Sequence, residues 1–183
     1  MFSKNMGPCV LVFDDTELGE TYGGTNFLFG MSTAKSMADK TGETARSKIV
    51  TGVSCTVTTT LTEPTLLQLS KVVYGSEYAL IDTARLQLQA PVGYDLVENA
   101  KILILKPIIE SIASADEEDW IYIPKASVVP NFDVPYMLDS QKVWAVEFEG
   151  HPVTAADIAS GARLYCLGYE ENDVAVLGYQ SSM

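Results

Sequence analysis

The chain has 183 residues, 47% of them hydrophobic and 20% charged, a composition typical of globular proteins that excludes disorder of the whole chain. Its length predicts one domain over residues 1–183. The net charge of -12 disfavours sequence-specific binding to nucleic acid, because phosphate contacts require lysine and arginine side chains.

Short apolar runs predict two strands near the N-terminus, at Val10–Phe13 and Thr25–Ser32. Turn-forming residues lie between the two runs. They are Asp14, Asp15 and Gly19 after the first run, and Gly23 and Gly24 before the second.

The next segment, Thr33–Ser47, is polar and mixed in charge. It shows neither the period of two that is typical of a strand nor the period of 3.6 that is typical of a helix, so we predict a long loop. Loops longer than about 12–15 residues are uncommon and are often functional.

Thr51–Thr62 has the clearest strand pattern in the chain. One face carries apolar residues together with Thr59, and the other is uniformly hydroxylated and neutral. The apolar face consists of Val53, Cys55, Val57 and Leu61, and the hydroxylated face of Ser54, Thr56, Thr58, Thr60 and Thr62.

A helix is predicted directly after this strand, with Thr62 as its N-cap and Pro64 in its first turn. An apolar stripe of Leu66, Leu69, Val72 and Val73 supports it. Gly75 fits just past its end.

The remaining apolar or alternating runs predict further strands, and prolines at Pro107 and Pro130–Pro135 predict breaks. The predicted strands are Ala84–Ala90, Asn99–Leu105, Trp120–Ile123, Val143–Phe148, Leu164–Leu167 and Val174–Leu177. Many short strands with one helix predict a mainly β fold: a β-sandwich or partly closed barrel with one flanking α-helix.

The sequence contains no recognisable catalytic or metal-binding motif. His151 is the single histidine and has no GxSxG partner, and the acidic groups match no calcium loop. We therefore expect no enzymatic activity, no metal and no cofactor. No apolar run reaches the roughly 18 residues of a membrane span, and no secretory signal begins the chain. Synthesis in the cytoplasm without a membrane partner is therefore the expectation.

Two alternatives of other classes remain at this point. A monomeric carbohydrate-binding module would stack sugars on aromatic side chains, for which Trp120, Tyr122, Tyr136 and Trp144 are the candidates. An enzyme would have to use scattered carboxylates such as Glu118 and Asp119. The odd number of cysteines predicts buried free thiols or an intersubunit disulfide through Cys9 or Cys166.

Two parts of the chain resemble the tail tube proteins (major tail proteins) of tailed bacteriophages. The first spans Leu18–Val73 and reads LGETYGG, a strand, a polar segment, and then TGVSCTVTTTLTEPTLLQLSKVV. Its matching positions are Thr51, Gly52, Leu61, Glu63, Thr65 and Leu69. The second is the strand Val143–Phe148 followed by Gly150, His151 and Pro152. Together they cover under half of the chain.

The resemblance implies a structural virion protein of the phage tail, made in the bacterial cytoplasm. It implies homo-hexameric rings, stacked into a tube through which DNA passes without specific binding. The implied partners are other copies, the tape measure, baseplate and terminator proteins, and a sheath where one exists. Neck, terminator and baseplate-hub proteins share the fold, so the station within the tail stays open.

The resemblance also assigns candidate roles to residues. A flanking helix over Thr62–Tyr74 would include Glu63, Leu66, Leu69 and Val73. The predicted loop would contact the neighbouring ring or subunit through Lys35, Met37, Asp39, Lys40, Glu43 and Arg46. The lumen would be lined from two strands, by Ser54, Thr56, Thr58 and Thr60 and by Arg85, Gln87 and Gln89.

Overall fold

The computed structural model describes residues 8–36, 47–74, 76–81, 83–88, 92–109, 111–130, 132, 142–152 and 166–167. Within these ranges the chain is mainly β, with one α-helix and antiparallel pairing throughout. This arrangement confirms the predicted fold class and is consistent with a β-sandwich with a flanking helix. The predicted strand Val174–Leu177 lies outside the described residues, as does most of Leu164–Leu167.

The strands are β1 (Cys9–Phe13), β2 (Thr16–Glu17), β3 (Thr21–Ser36), β4 (Ser47–Thr62), β5 (Ser76–Ile81), β6 (Thr83–Leu88), β7 (Lys101–Ile109), β8 (Ile112–Ala113), β9 (Ile121–Pro130), β10 (Val143–Gly150) and β11 (Cys166–Leu167). The helix α1 covers Leu66–Val72, and a short 3-10 turn covers Glu117–Asp119.

The main sheet has nine strands, with the order β2-β1-β7-β9-β10-β4-β3 and with β11 and β8 paired to β9 and β7. It is not closed by strand pairing, but residues 18–20 connect β2 at one edge to β3 at the other. The Leu18 amide donates to the Leu11 carbonyl at 2.9 Å, and the Thr62 amide donates to the Glu20 carbonyl at 2.9 Å. Because so short a segment joins the two edges, the sheet curls around its core.

The core consists of alternate residues from five neighbouring strands, which share the concave face of the curled sheet. Its members include Leu11, Phe13, Cys55, Val57, Leu61, Leu103, Leu105, Ile123, Ala126, Val128, Val146 and Phe148. The predicted inward face of β4 is confirmed for Cys55, Val57, Thr59 and Leu61, whereas Val53 is 46% exposed because β4 extends past its neighbour β10 at that point.

The prediction of a loop over Thr33–Ser47 was wrong at both ends. Thr33–Ser36 continues β3, and Ser47 begins β4, so only residues 37–46 separate the two strands, and they lie outside the described residues. Pairing between the two strands provides hydrogen-bond partners for the backbone N–H and C=O groups of this polar segment. The strand propensity of its residues alone does not predict this pairing.

Gly23 and Gly24 lie inside β3 and do not break it. Both have positive φ angles, 77° and 89°, and the register of β3 against β4 shifts between Thr21 and Thr25. Glycine adopts this left-handed backbone without strain, so the pair forms a bulge at the edge of the sheet.

Helix α1 begins later than predicted. Thr62 is still part of β4, opposite Val143, and Glu63 then turns the chain with a positive φ of 48°. The N-cap is Thr65, whose hydroxyl accepts from the Gln68 amide while the Gln68 side chain accepts from the Thr65 amide at 2.7 Å. Pro64 therefore precedes the cap and does not occupy the first turn.

We expect Thr65→Ala to lower the free energy of unfolding by about 1 kcal/mol, because the substitution removes one half of a capping box. Thr65→Ser keeps the hydroxyl and should retain most of the stability. Urea denaturation measures the difference in the free energy of unfolding, with the slope of that free energy against urea concentration unchanged between the variants. Equal losses in the two variants would contradict a capping role for the hydroxyl.

The chain after α1 contains three further departures from prediction. Pro107 does not break β7. Strand β9 pairs with β7 only as far as Leu105, so no hydrogen bond to β9 requires the N–H group that proline lacks. The hairpin β5–β6 forms its own two-stranded sheet, of which only the second strand was predicted. Strand β9 continues to Pro130, well beyond the predicted Trp120–Ile123.

Candidate assembly surfaces

The outward side of β3, β4 and β10 forms a surface rich in hydroxyl and carboxylate groups, which we call the polar sheet face. Its polar members are Asn26, Ser54, Thr56, Thr58, Thr60, Glu147 and Glu149. The register places Thr58 between Asn26 and Glu147, and Thr56 between Leu28 and Glu149. In these three strands as described, the basic residues are Lys35 and Lys48, and neither lies on this face. The face is therefore uniformly neutral or negative.

An open groove of about 670 Å³ lies over one end of the polar sheet face. The bulge at Tyr22–Gly24 forms one wall, and side chains from β4, β9 and β10 line the rest. Tyr22 is 60% exposed. The groove is lined by hydroxyl, amide and carboxylate groups as well as by Val129 and Val143, so it is neither a closed cavity nor a purely apolar one.

The structure brings together only one of the two predicted groups of lumen residues. Ser54, Thr56, Thr58 and Thr60 share the polar sheet face. Arg85 and Gln87 are exposed on β6, which pairs with β5 outside the main sheet. Gln89 lies outside the described residues.

The β3–β4 hairpin extends well beyond the main sheet. The last residue of β4 paired with β10 is Cys55, so residues 30–36 and 47–54 pair only with each other. We call this projecting part the ribbon. Its strands reach about 24 Å and about 27 Å past the sheet, at about 3.4 Å per residue.

One face of the ribbon continues the core face of the sheet. The period of two along β3 places Met31, Thr33 and Lys35 on the same side as the partly buried Phe27. Their partners across the ribbon are Val53, Val50 and Lys48. Met31 and Val50 are each 56% exposed, because no described part of the chain covers them.

The predicted loop contacts are only partly described. Lys35 is exposed and lies directly opposite Lys48, a like-charge pair that costs stability in an isolated chain. The other candidates, Met37, Asp39, Lys40, Glu43 and Arg46, lie outside the described residues.

The predicted flanking-helix residues fall into two groups. Leu69 and Val73 are buried and hold α1 against the sheet. Leu66, which was predicted to belong to the same stripe, is 39% exposed, and Glu63 lies before the helix. The buried side of α1 therefore stabilises the monomer, and its exposed side begins at Leu66.

The thiols described in the structure are free and protonated at neutral pH. Cys55 is fully buried, and burial raises the pKa of its thiol to about 11. Burial also raises the pKa of the Cys9 thiol, partly offset by a hydrogen bond with Thr25. A raised pKa lowers the thiolate fraction on which disulfide exchange depends. The side chain of Cys166 lies outside the described part.

The aromatic candidates for sugar stacking do not form an exposed platform. Trp120 is 9% exposed and its indole N–H donates to the Ser114 carbonyl at 2.8 Å, and Tyr122 is 1% exposed. Trp144 packs edge-to-face on Phe132 with ring centroids 5.1 Å apart. Tyr136 lies outside the described residues.

A histidine–serine contact was not anticipated from the sequence, because it joins a residue inside β9 to one that directly follows β10. The Nε2 atom of His151 lies 2.7 Å from Oγ of Ser127. Ser127 is 1% exposed, so a substrate cannot reach its hydroxyl. The contact fixes the chain where it leaves β10, and the amide of His151 also donates to the Lys125 carbonyl at 2.7 Å.

Among the described residues, no group of three or more histidine, cysteine, aspartate or glutamate side chains could hold a metal ion. No helix in the described part is long and apolar enough to span a membrane. Comparison of the sequence with models of known protein families and with curated proteins finds no match.

Proposed function

We propose that this chain is a structural subunit of a bacteriophage tail tube, in which hexameric rings stack into the conduit for the genome. The resemblance at residues 18–73 and 143–152 motivates the proposal. Its location would then be the virion tail. Its partners would be further copies and the tape measure, baseplate and terminator proteins.

The polar sheet face is the observation that supports this function most directly. A conduit for DNA must not bind the phosphate backbone, and binding depends on basic side chains that release counterions. The face has hydroxyls along β4 and carboxylates at Glu147 and Glu149 on β10. A surface of this composition repels DNA and offers it no cation.

The open sheet provides the route to assembly. Strand β3 spans Thr21–Ser36 and pairs with β4 on one side only. A long unpaired edge strand is a template for pairing with another chain, and closure across copies removes that exposed edge. Joining the sheets of neighbouring copies would extend the polar sheet face into a continuous inner wall.

The purified chain should assemble into rings or hollow tubes as its concentration is raised, because assembly buries the free edge and the exposed apolar residues of the ribbon. Negative-stain electron microscopy and light scattering on one sample measure this. Solid filaments or a chain that stays monomeric at high concentration would contradict the proposal. Tubes with a uniform central channel would support it, and their length distribution would separate a tube protein from a ring-forming terminator.

A further inference from the structure

We infer that the ribbon of one copy docks on the β7–β8 hairpin and the following acidic segment of the next copy, through matched apolar and charged groups. The inference deepens the proposed assembly and rests on it. It names both surfaces of one contact between copies.

The ribbon presents an apolar patch that ends in two positive charges. Met31, Val50 and Val53 are each about half exposed on one face, and Lys35 and Lys48 follow on that face toward the tip. The described residues of β3 and β4 contain no acidic side chain. The ribbon is thus basic within a chain whose net charge is -12.

The proposed acceptor has the opposite character. Ile109 and Ile112 are opposite each other in the β7–β8 pairing and are 43% and 73% exposed. The acidic segment Asp116–Asp119 follows within a few residues, with Asp116 and Glu118 exposed. The ion pairs found among the described residues involve Asp14 and none of these four carboxylates. The nearby cation Lys106 lies over the Trp120 ring, 3.9 Å from its centroid.

The strand registers place both surfaces at the same end of the sheet. Cys55, Gly150, Ala126 and Lys101 are linked in one row across β4, β10, β9 and β7. Starting from that row, β4 leads to the ribbon tip when it is followed toward lower residue numbers. Strand β9, followed toward lower residue numbers, leads to Ile121 in the same direction. Because Ile121 pairs with Leu105, β7 runs toward Ile109 in that same direction.

The two surfaces are also formed by strands that are not neighbours in the strand order of the sheet. The ribbon extends from β3, the last strand at one edge, whereas β7 and β8 lie toward the edge formed by β1 and β2. Because the ribbon and the acceptor are different surfaces of one chain, each copy can offer its ribbon to one neighbour and its acceptor to another. This is a head-to-tail contact, which closes into a ring when the rotation permits.

A second copy is the occupant that these charges favour. Each ribbon adds a Lys35–Lys48 pair whose mutual repulsion a neighbouring acidic segment relieves. Opposite charges across an interface increase the association rate and fix the register of the two partners. The apolar residues of the ribbon and of the acceptor would bury each other and stabilise the contact. An acidic ligand without a hydrophobic surface could not provide this burial.

A charge-swap experiment tests the contact. Variant A is Lys35→Glu/Lys48→Glu, which replaces one like-charge pair with another, and variant B is Glu117→Lys/Glu118→Lys/Asp119→Lys, which changes the charge of residues 116–119 from -4 to +2. Each variant alone opposes like charges and should remain monomeric at concentrations where the wild type assembles. In an equimolar mixture every contact joins opposite charges, so assembly should return with the two variants alternating.

Sedimentation velocity measures assembly, and circular dichroism verifies that both variants fold. Folded variants that stay monomeric when mixed would overturn the assignment of the acceptor. Wild-type tubes together with normal assembly of variant A would overturn the inference and leave the proposed function standing. If assembly is lost in each variant and returns in the mixture, but only short oligomers form and never rings or tubes, the contact would stand and the proposed function would be overturned. A wild type that never associates would overturn both.

The apolar part of the contact has a matched control in adjacent residues. Val50 and Ile49 are 56% and 63% exposed and lie on opposite faces of the ribbon. We expect Val50→Thr combined with Met31→Gln to raise the concentration needed for half-assembly about tenfold or more, through lost burial. Ile49→Thr should leave that concentration nearly unchanged. Equal effects in the two variants would contradict docking through the Met31 face.

Discussion

We expect Phe148→Ala to lower the free energy of unfolding by about 3–5 kcal/mol, because it removes a fully buried aromatic side chain and leaves a cavity. Phe148 lies on β10 opposite Val57, and its ring centroid is 5.2 Å from that of Phe13. It thus joins β10, β4 and β1 across the concave side of the sheet. Domains are stable by only about 5–15 kcal/mol, so this loss is a large fraction of the total.

Phe29→Ala is the matched control, since Phe29 is an aromatic residue of the neighbouring strand β3 that is 38% exposed. Its truncation should cost less than half as much. Urea denaturation at a concentration low enough to keep the chain monomeric measures both values, because assembly would add its own stabilisation. Similar losses for the two variants would contradict a core centred between β10, β4 and β1.

Strand β4 shows what the sequence predicts well. Alternation of small hydroxylated residues with Cys55, Val57 and Leu61 requires one buried and one exposed face, and the structure has that arrangement. The pattern is local, so it needs no knowledge of the partner strands. What it could not predict is that Glu147 and Glu149 add negative charge beside these hydroxyls, since their placement depends on a pairing between segments distant in sequence.

The start of α1 could have been predicted correctly. Thr65 followed three residues later by Gln68 is a capping-box pattern, and it identifies the N-cap better than Thr62 does. The prediction placed the cap directly at the end of the strand pattern and used Pro64 as a helical residue. The left-handed backbone at Glu63 is the turn that separates the two elements.

The ribbon could not be predicted from the local sequence pattern. Thr33–Ser36 has no strand pattern of its own and is extended because β4 pairs with it, with a register shift between Ser32 and Thr33. The exposed Ile49 and Val50 gave a partial signal for the second strand. The proposed docking of the ribbon on the β7–β8 hairpin depends on the register of the whole sheet, so neither segment alone predicts it.

In the proposed tube, the polar sheet face would line the DNA conduit, and its lack of basic side chains would keep DNA from binding. We expect rings or short tubes of Thr56→Lys/Glu147→Lys to bind short duplex DNA at low salt, whereas wild-type assemblies do not. Both positions lie on this face, and the substitutions change the charge of each copy from -12 to -9. The chain would remain strongly acidic, so any binding would report the local surface and not the net charge.

The matched control is Val97→Lys/Glu98→Lys, which makes the same change in net charge at exposed residues away from the polar sheet face. Its assemblies should bind no more DNA than the wild type. Fluorescence anisotropy of labelled duplex over a series of salt concentrations measures binding. For the polar-face variant the affinity should fall steeply with salt, because each lysine contact to phosphate releases counterions. Equal binding by both variants would assign the effect to overall charge, and an absence of binding by the polar-face variant would place this face away from the DNA path.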